Sequence, residues 1–176
     1  MMPHRNRLEA VQYRVDTLAS LSKKLFLWRL QGLKIVFTNG CFDILHRGHV
    51  EYLVKAADLG NVMVVGINSD ASVKRLGKNG SRPLQDENSR AFVVAALSVV
   101  SAAIIFDEDT PLDLIKFVEP HVLVKGADYD AEEKDTKSKK YIVGSDQVRA
   151  SGGIVKTIEL TEGFSTTAIE NRIKGK

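Results

Sequence analysis

The chain has 176 residues, of which 44% are hydrophobic and 27% charged, a balance typical of one compact globular domain. Its net charge is only +3 and the basic residues are dispersed, which excludes a strongly basic nucleic-acid or membrane-surface protein. The one cysteine, Cys41, cannot form an internal disulfide, which indicates a reducing compartment. The longest apolar run, residues 91–106, is interrupted by two serines and is too short for a membrane span of roughly 20 residues. We therefore expect a cytoplasmic protein with a small-molecule partner.

The first 31 residues predict a loose arm followed by a helix. Residues 1–15 show no clear periodicity, whereas residues 16–31 carry apolar side chains at nearly helical spacing and end at Gly32. We therefore divide the chain into an N-terminal arm with an amphipathic helix, residues 1–31, and a main domain, residues 32–176. Leu25 and Trp28 of this helix could cover either the chain's own core or a second copy, so a homo-oligomer is left open.

Beyond residue 32, buried strands alternate with helices. Short apolar or β-branched runs predict five strands, over residues 33–37, 62–67, 102–106, 122–125 and 154–160. Helices are predicted around residues 50–57, 91–97, 112–118 and 165–173. Apolar runs without polar alternation, joined by helices, are typical of parallel strands covered on both faces. The expected fold is α/β: a doubly wound, Rossmann-like parallel sheet of about five strands with helices on both faces.

In such a fold, ligands bind in the loops beyond the carboxyl ends of the strands. Three long loops follow strands here, over residues 39–49, 68–90 and 126–147. The last contains a run of mixed charges between residues 132 and 140, which is more typical of a solvated, mobile face than of a binding patch. The first two loops are therefore the stronger candidates for a binding site.

The densest cluster of reactive side chains lies in the first loop, between the first strand and the first helix. His46 and His49 are three residues apart at a helix start, so both rings can lie on one face above backbone N–H groups at the positive end of the helix dipole. Gly48 lets a ligand approach the backbone between them. Such a cradle would stabilise the charge of a phosphoryl transition state without a side-chain nucleophile.

Two other interpretations of this loop stay open. Cys41 and Asp43, together with the two histidines, have the residue types of a zinc site, although a Cys-x-Asp spacing that is followed by a turn suits tetrahedral coordination poorly. Alternatively, the histidines could simply cap a helix. The sequence favours the phosphate cradle, so no protein metal ligands are expected.

The segment Gly-Cys-Phe-Asp-Ile-Leu-His-Arg-Gly-His at residues 40–49 resembles the signature of the HxGH nucleotidylyltransferases related to cytidylyltransferases. Gly-Phe-Ser-Thr-Thr at residues 163–167 resembles their second signature. Residues 37–46, 68–76 and 123–129 are similar to the adenylyltransferase half of the bifunctional heptose kinase/adenylyltransferases of bacterial lipopolysaccharide assembly. The resemblance extends over residues 32–173, so residues 32–176 are expected to form a nucleotidyltransferase domain, here without a sugar-kinase domain beside it.

The resemblance implies an activity: AMP is transferred from ATP to D-glycero-D-manno-heptose 1-phosphate, which gives ADP-heptose and pyrophosphate. It implies Mg²⁺ bound with ATP, ATP and heptose 1-phosphate as partners, and neither nucleic acid nor membrane as a partner. The rivals are a CTP-dependent enzyme that acts on a small phosphorylated alcohol such as glycerol 3-phosphate, and a nucleotide-binding regulator without catalysis. The intact histidine pair argues against the regulator.

The resemblance also implies roles for individual residues. The expected catalytic residues are His46, His49 and Lys78. The expected nucleotide-binding residues are Asn39, Gly40, Cys41, Phe42, His46, Gly48, His49, Arg90, Gly126, Asp128, Gly163, Phe164, Ser165, Thr166 and Thr167. The expected residues for the second substrate are Asp43, Lys74 and Lys125. Which of Lys74 and Lys78 contacts which phosphate is left open, because the lysine–glycine spacing differs by about one residue from the family pattern.

Three of these expectations have structural alternatives or consequences. The hydroxyls at 165–167 could cap the last helix, and Thr167 with Glu170 fits a capping box. Arg90 could form an ion pair on a helix surface. Leu160 stands where the glycerol phosphate cytidylyltransferases carry an arginine, and this departure favours ATP over CTP.

Overall fold

The computed structural model describes residues 6–77, 82–161 and 163–175. Its strands are β1 (Val15–Asp16), β2 (Ile35–Gly40), β3 (Val62–Asn68), β4 (Ala102–Phe106), β5 (Val122–Gly126) and β6 (Ile154–Ile158). Its helices are α1 (Arg7–Gln12), α2 (Leu18–Leu30), α3 (Arg47–Ala57), α4 (Asp70–Arg75), α5 (Glu87–Ala95), α6 (Leu112–Val118), α7 (Ser145–Ala150) and α8 (Thr166–Ile173). Strands and helices alternate along most of the chain, as the sequence predicts.

The six strands form one parallel sheet in the order β1-β4-β3-β2-β5-β6. From β2 the chain first builds outward through β3 and β4, and then returns to the other side of β2 with β5. The order therefore reverses between β2 and β5, and such a switch point opens a crevice at the carboxyl ends of the two strands. The predicted doubly wound α/β fold is confirmed, with six strands where about five were expected.

Two hydrophobic clusters cover the two faces of the sheet. Successive residues of β2 alternate between them, because side chains of a strand point to opposite faces: Ile35 and Phe37 lie in one cluster and Val36 in the other. The first cluster includes Leu21 and Leu25 of α2, and the second takes in buried side chains of α3 and α5. Covering on both faces explains why the sequences of the inner strands β3 and β4 are almost entirely apolar.

The expectation of a loose arm over residues 1–15 is wrong for the described part of that segment. Residues 7–12 form α1, capped by Asn6, and Val15 pairs with Ala103 to place β1 at the sheet edge. Leu25 and Trp28 of α2 pack against the chain's own core. The apolar side chains that α2 exposes are instead Leu18, Phe26, Leu27 and Leu30.

Two short helices lie in segments that the sequence analysis treats as loops. Helix α4 follows β3 directly, and α7 closes the segment that follows β5. The charged run at 132–140 is mostly exposed. The amide N–H of Asp130, just before the run, donates to the carbonyl of Lys140 at its end and so closes the loop. Strand β6 ends at Ile158, so Leu160 belongs to the following loop. Within the described ranges, no helix has the length and apolar character needed to cross a bilayer.

Candidate active site

Two adjoining cavities open beyond the carboxyl ends of β2 and β5. The strand-end cavity, of about 390 Å³, is lined by Asn39 to Asp43 and by Lys125, Gly126 and Asp128. The helix-end cavity, of about 570 Å³, is lined by His46, Gly48 and the hydroxyl residues 165–167 of the second signature. Four residues line both cavities: His49, Arg82, Leu160 and Thr166. The fold thus brings the two signature segments, which are more than a hundred residues apart in sequence, to one cleft.

His46 and His49 lie at the start of α3 with their rings stacked, at a centroid distance of 3.8 Å and an interplanar angle of 20°. His46 is the N-cap of the helix, and its Nδ1 accepts the amide N–H of His49 at 3.4 Å. A ring whose Nδ1 accepts carries its proton on Nε2 when it is neutral. Burial lowers the pKa of His46, which favours this neutral form. The helix-cap interpretation is therefore correct for Nδ1, while Nε2 remains a donor.

Gly48 is the point where the two signatures touch. A Cβ at this position would lie 3.0 Å from the Cβ of Phe164 and 3.2 Å from the Nδ1 of His46. The guanidinium of Arg47 lies over the ring of Phe164, 5.4 Å from its centroid. Glycine is therefore required here for close packing of the 163–167 segment against α3, in addition to any approach by a ligand.

A second tie holds the loop before α8 to α3. Thr161 donates its hydroxyl to Glu51, which also accepts from Arg47 at 2.6 Å. The hydrogen bonds from Thr161 and Arg47 lower the pKa of the Glu51 carboxyl. The loop that carries the second signature is thus fixed beside the histidines by an ionised carboxylate.

The second signature begins α8. Ser165 is the N-cap, and its Oγ accepts the amide N–H of Ala168 at 3.0 Å. The expected capping box of Thr167 with Glu170 is wrong, because Thr167 lies inside α8 and cannot be its N-cap; the carboxylate of Glu170 pairs instead with Arg82. Thr166 and Thr167 face the helix-end cavity, beside the positive end of the helix dipole.

Charged groups surround the ends of β2 and β5. The ammonium of Lys125 donates to Oδ1 of Asn39 at 2.6 Å and lies 5.5 Å from the centroid of the Tyr129 ring. Asp128 folds back over Gly126, where a Cβ would meet its Oδ1 at 2.5 Å. Gly126 therefore leaves space for a carboxylate at the mouth of the strand-end cavity.

Asp43 is buried and holds the segment before α5. Its Oδ1 accepts the amide N–H groups of Leu84 and Gln85, at 2.8 and 3.1 Å. Its Oδ2 faces the guanidinium of Arg82 at 3.9 Å. Asp43 lines the strand-end cavity, but one of its oxygens is already committed to the backbone.

Arg90 and Lys74 lie outside the lining of the two cavities. The guanidinium of Arg90 has no exposed surface and binds the carbonyls of Gln85 and Cys41 and the carboxylate of Asp70, at 3.0, 2.6 and 2.7 Å. Through the carbonyl of Cys41, Arg90 thus fixes the loop of residues 39–49 to α5. Lys74 is exposed in the last turn of α4. Lys78, expected to be catalytic, lies outside the described residues.

Arg82 and Tyr52 are among the residues of the cleft that the sequence analysis did not predict. Arg82 lines both cavities, although in the sequence it is one more basic residue of a loop. Tyr52 lines the strand-end cavity and shares a 2.7 Å hydrogen bond with Thr38; burial raises the pKa of its phenol. Its position one helical turn after His49 was an available signal, because residues three apart share a helix face.

The cleft offers little to a tightly bound metal. Among residues 6–77, 82–161 and 163–175, no three His, Cys, Asp or Glu side chains are grouped to hold a metal ion. The thiol of Cys41 lies 3.9 Å from Oδ1 of Asn68. Donor groups for a ligand's phosphates are instead the histidines, hydroxyls and cations described above.

Because the paired histidines and the hydroxyl-bearing helix converge on the switch point of a doubly wound sheet, the fold and the site define a nucleotidyltransferase. The family profile described as cytidylyltransferase-like matches residues 37–172. The chain belongs to the cytidylyltransferase-like family.

Curated relatives and one solved structure at 30% identity agree with membership of this family. The chain is 50% identical over 157 residues to the "Bifunctional protein HldE" of Bradyrhizobium diazoefficiens, which covers 89% of this chain and 30% of that protein. It is 48% identical over 164 residues to the protein of the same name from Wolinella succinogenes, covering 93% of this chain and 32% of the relative. The chain thus spans about a third of the length of these relatives.

A lipopolysaccharide core biosynthesis protein from Thermoplasma volcanium superposes with a TM-score of 0.56 at 30% identity, covering 74% of this chain and 98% of that one. Pantoate-beta-alanine ligase from Francisella tularensis, solved with an ATP ligand and beta-alanine, has a TM-score of 0.58 at 15% identity, covering 91% of this chain and 76% of its own. At that identity, the second likeness concerns the fold alone.

Proposed function

We propose that the protein transfers AMP from ATP to D-glycero-D-manno-heptose 1-phosphate, with ADP-heptose and pyrophosphate as products. The observation that carries the proposal is the stacked pair of His46 and His49, which opens into the same cleft as the hydroxyls of Ser165 to Thr167. The relatives named HldE and the lipopolysaccharide core biosynthesis protein support a role in lipopolysaccharide synthesis. We place this chemistry in the cytoplasm, in residues 32–176, to which β1 and α2 add an edge strand and a core helix.

The proposed reaction is a direct displacement at phosphorus. An oxygen of the sugar phosphate attacks the α-phosphorus of ATP, and the bond to the bridging oxygen of pyrophosphate breaks on the opposite side. The cleft needs no nucleophile of its own, because positioned donors stabilise the charge of such a transition state. No covalent enzyme intermediate forms.

The histidines would act as donors to the α-phosphate and to the leaving group. A neutral His46 whose Nδ1 is used by the helix cap presents Nε2–H as a donor, and the stacked His49 supplies the second ring beside it. Donors fixed in place before the reaction stabilise developing charge without reorganisation. The hydroxyls at 166 and 167 and the first amides of α8 would hold the β- and γ-phosphates.

Other charged groups of the cleft would bind the remaining parts of the substrates. Lys125 lies where a phosphate of the sugar substrate could reach it from the strand-end cavity, and Asp128 lies at the mouth of the same cavity beside Gly126. In this proposal, Asn39 to Phe42 and residues 163–164 frame the nucleotide. Lys74, in the last turn of α4, and Lys78 would neutralise phosphate charge.

Mg²⁺ would enter with ATP. Asp43, Asp109 and Asp128 line the strand-end cavity singly, without a grouped set of three ligands in the described part of the chain. This fits an ion coordinated mainly by phosphate oxygens and water, as Mg²⁺ prefers. When bound, the ion neutralises part of the triphosphate charge.

A pyrophosphate-release assay tests the proposal. ATP and CTP are each combined with heptose 1-phosphate, with glycerol 3-phosphate, or with no acceptor. The proposal requires release with ATP and heptose 1-phosphate at a rate well above every other combination. Release only with CTP and glycerol 3-phosphate would favour the cytidylyl rival, and binding of nucleotide without release in any combination would favour a regulator.

A further inference from the structure

Arg82 is one of the four residues that line both cavities of the cleft, and its guanidinium is positively charged at all physiological pH values. Its side chain is only 12% exposed, and Nη2 lies 2.6 Å from Oε1 of Glu170, itself 16% exposed. Nη1 faces Oδ2 of Asp43 at the longer distance of 3.9 Å. The guanidinium is therefore a nearly buried cation that bridges the start of the segment before α5 and the middle of α8.

Glu170 is an unexpected neighbour for a polyphosphate. It lies four residues after Thr166, so the two side chains share a face of α8, and both line the helix-end cavity. A carboxylate in the wall of a site for phosphates repels the ligand and costs affinity. Its position is explained if it holds Arg82 in place while the cleft is empty.

The remaining contacts of Asp43 and α8 do not depend on this ion pair. Asp43 is already fixed by two backbone amides from Leu84 and Gln85. Helix α8 is held at its start by the contacts of Phe164 and Thr161 with α3. A shift of Arg82 away from Glu170 would therefore leave the framework of the site in place, with Asp43 as the carboxylate that remains beside the cation.

We propose that Arg82 is a ligand of the polyphosphate of the nucleoside triphosphate substrate, and that Glu170 is a placeholder which binds the Arg82 guanidinium until phosphate replaces the carboxylate. Arginine suits this exchange because its planar fork binds carboxylate and phosphate in the same bidentate manner. A phosphate group carries more negative charge than a carboxylate and displaces it. The inference rests on the proposed function in that the cleft must bind a nucleoside triphosphate or pyrophosphate.

The two roles of Glu170 predict opposite effects of one substitution. If Glu170 is a placeholder, Glu170→Gln frees the cation and tightens polyphosphate binding. If the ion pair is a structural tie that shapes the site, the same substitution weakens binding. The direction of the change therefore separates the two roles.

The experiment is calorimetric titration with inorganic pyrophosphate in the presence of Mg²⁺, followed by ATP and CTP. Arg82→Met should raise the Kd for pyrophosphate about tenfold or more, the effect of losing one charge-assisted contact. Glu170→Gln should lower it about threefold or more, and should have no effect in an Arg82→Met background. Glu159→Gln, which removes one exposed charge from the loop between β6 and α8, is the matched control and should leave the Kd unchanged.

Several results would overturn the inference. These are an unchanged Kd in Arg82→Met, weaker binding in Glu170→Gln, or equal tightening by Glu170→Gln with and without Arg82, which would reduce the effect to general electrostatics. If thermal unfolding shows that Arg82→Met is not folded, Arg82→Lys serves in its place. A wild-type Kd in Arg82→Lys would count against recognition by the guanidinium fork. If the wild type binds neither pyrophosphate nor ATP nor CTP, the proposed function fails as well, whereas normal wild-type binding with unaffected variants refutes only the role of Arg82.

Discussion

His46 and His49 stack ring on ring while the first of them also caps the helix that carries both. One imidazole thus fulfils two requirements: its Nδ1 satisfies an N–H group at the helix start, and its Nε2 is left as a donor in a residue that lines the helix-end cavity. Stability and chemistry can be separated here by a substitution that keeps the cap and removes the donor.

His46→Asn is that substitution. Asparagine is a good N-cap, so the variant should keep the thermal stability of the wild type, but it lacks the Nε2–H. We expect kcat to fall by about a hundredfold or more, the usual effect of removing one donor to a developing oxyanion. His49→Ala should lower kcat to a similar extent. Steady-state kinetics with ATP, alongside thermal unfolding, checks both, and near-normal turnover in a folded variant would remove that histidine from the mechanism.

The lowered pKa of His46 has a consequence for stability. Burial places the folded-state pKa below the unfolded value of 6.5, so the unfolded chain takes up the proton first as the pH falls. The free energy of unfolding should therefore be at its full value above pH 6.5 and decline below it. Urea unfolding at pH 7.5 and 5.5 should show a larger loss for the wild type than for His46→Asn. An equal loss in both proteins would contradict this source of pH dependence.

Gly48→Ala tests the contact between the two signatures. In a helix, alanine is favoured over glycine by about 1 kcal/mol, so local propensity alone predicts a more stable protein. The added Cβ would, however, meet Phe164 and His46 at 3.0 to 3.2 Å. We expect kcat/KM to fall at least about tenfold as the 163–167 segment moves, with Lys55→Ala on the exposed face of α3 as a neutral control. Unchanged kcat/KM would show that the segment adapts without cost.

Substitutions of Arg90 and Lys74 should distinguish a cation that stabilises the fold from one that binds substrate. Arg90→Met would leave two carbonyls and Asp70 without their donor, at a cost of about 3 kcal/mol or more, which corresponds to a fall in Tm of roughly 6–12 °C for a chain of this size. Lys74→Met at an exposed site should change the Tm little, and it should raise the KM for the sugar phosphate if Lys74 binds it. Differential scanning calorimetry and kinetics on both variants decide. A normal Tm for Arg90→Met would show that the buried guanidinium is not needed to hold the loop.

Long apolar segments are what the sequence predicts best. The strand over 102–106 and the helix over 112–118 are found with the predicted bounds, because the first is apolar throughout and the second carries apolar side chains at helical spacing. Strand β1 has only two residues, and α4 and α7 contain two apolar residues each, so no apolar stripe marks these helices in the sequence. These elements are fixed by pairing and packing with distant parts of the chain.

The residues of the site also fall into a part that the sequence predicts and a part that it does not. The histidines and the 165–167 hydroxyls belong to contiguous signatures, and their convergence follows from the switch point of the sheet. Arg82 and Glu170 are far apart in sequence, and neither belongs to one of the two signatures. Their ion pair depends on how the segment before α5 folds across Asp43, which no local pattern encodes.

Leu160 provides the sharpest test of nucleotide choice. It lines both cavities, and its Cδ1 would lie 3.4 Å from a Cβ on Gly126, close to Asp128. An apolar side chain here cannot anchor CTP as the arginine of the cytidylyl-transferring relatives would. The absence of one charge-assisted hydrogen bond is worth roughly 1.5–3 kcal/mol, or about tenfold to a hundredfold in affinity. We therefore expect CTP to be used at least about tenfold less efficiently than ATP in kcat/KM with heptose 1-phosphate. Leu160→Arg should narrow that ratio, and Leu160→Gln, polar but uncharged, should not. Equal use of the two nucleotides by the wild type, or a preference for CTP, would refute the predicted selectivity for ATP while leaving the roles of the histidines intact.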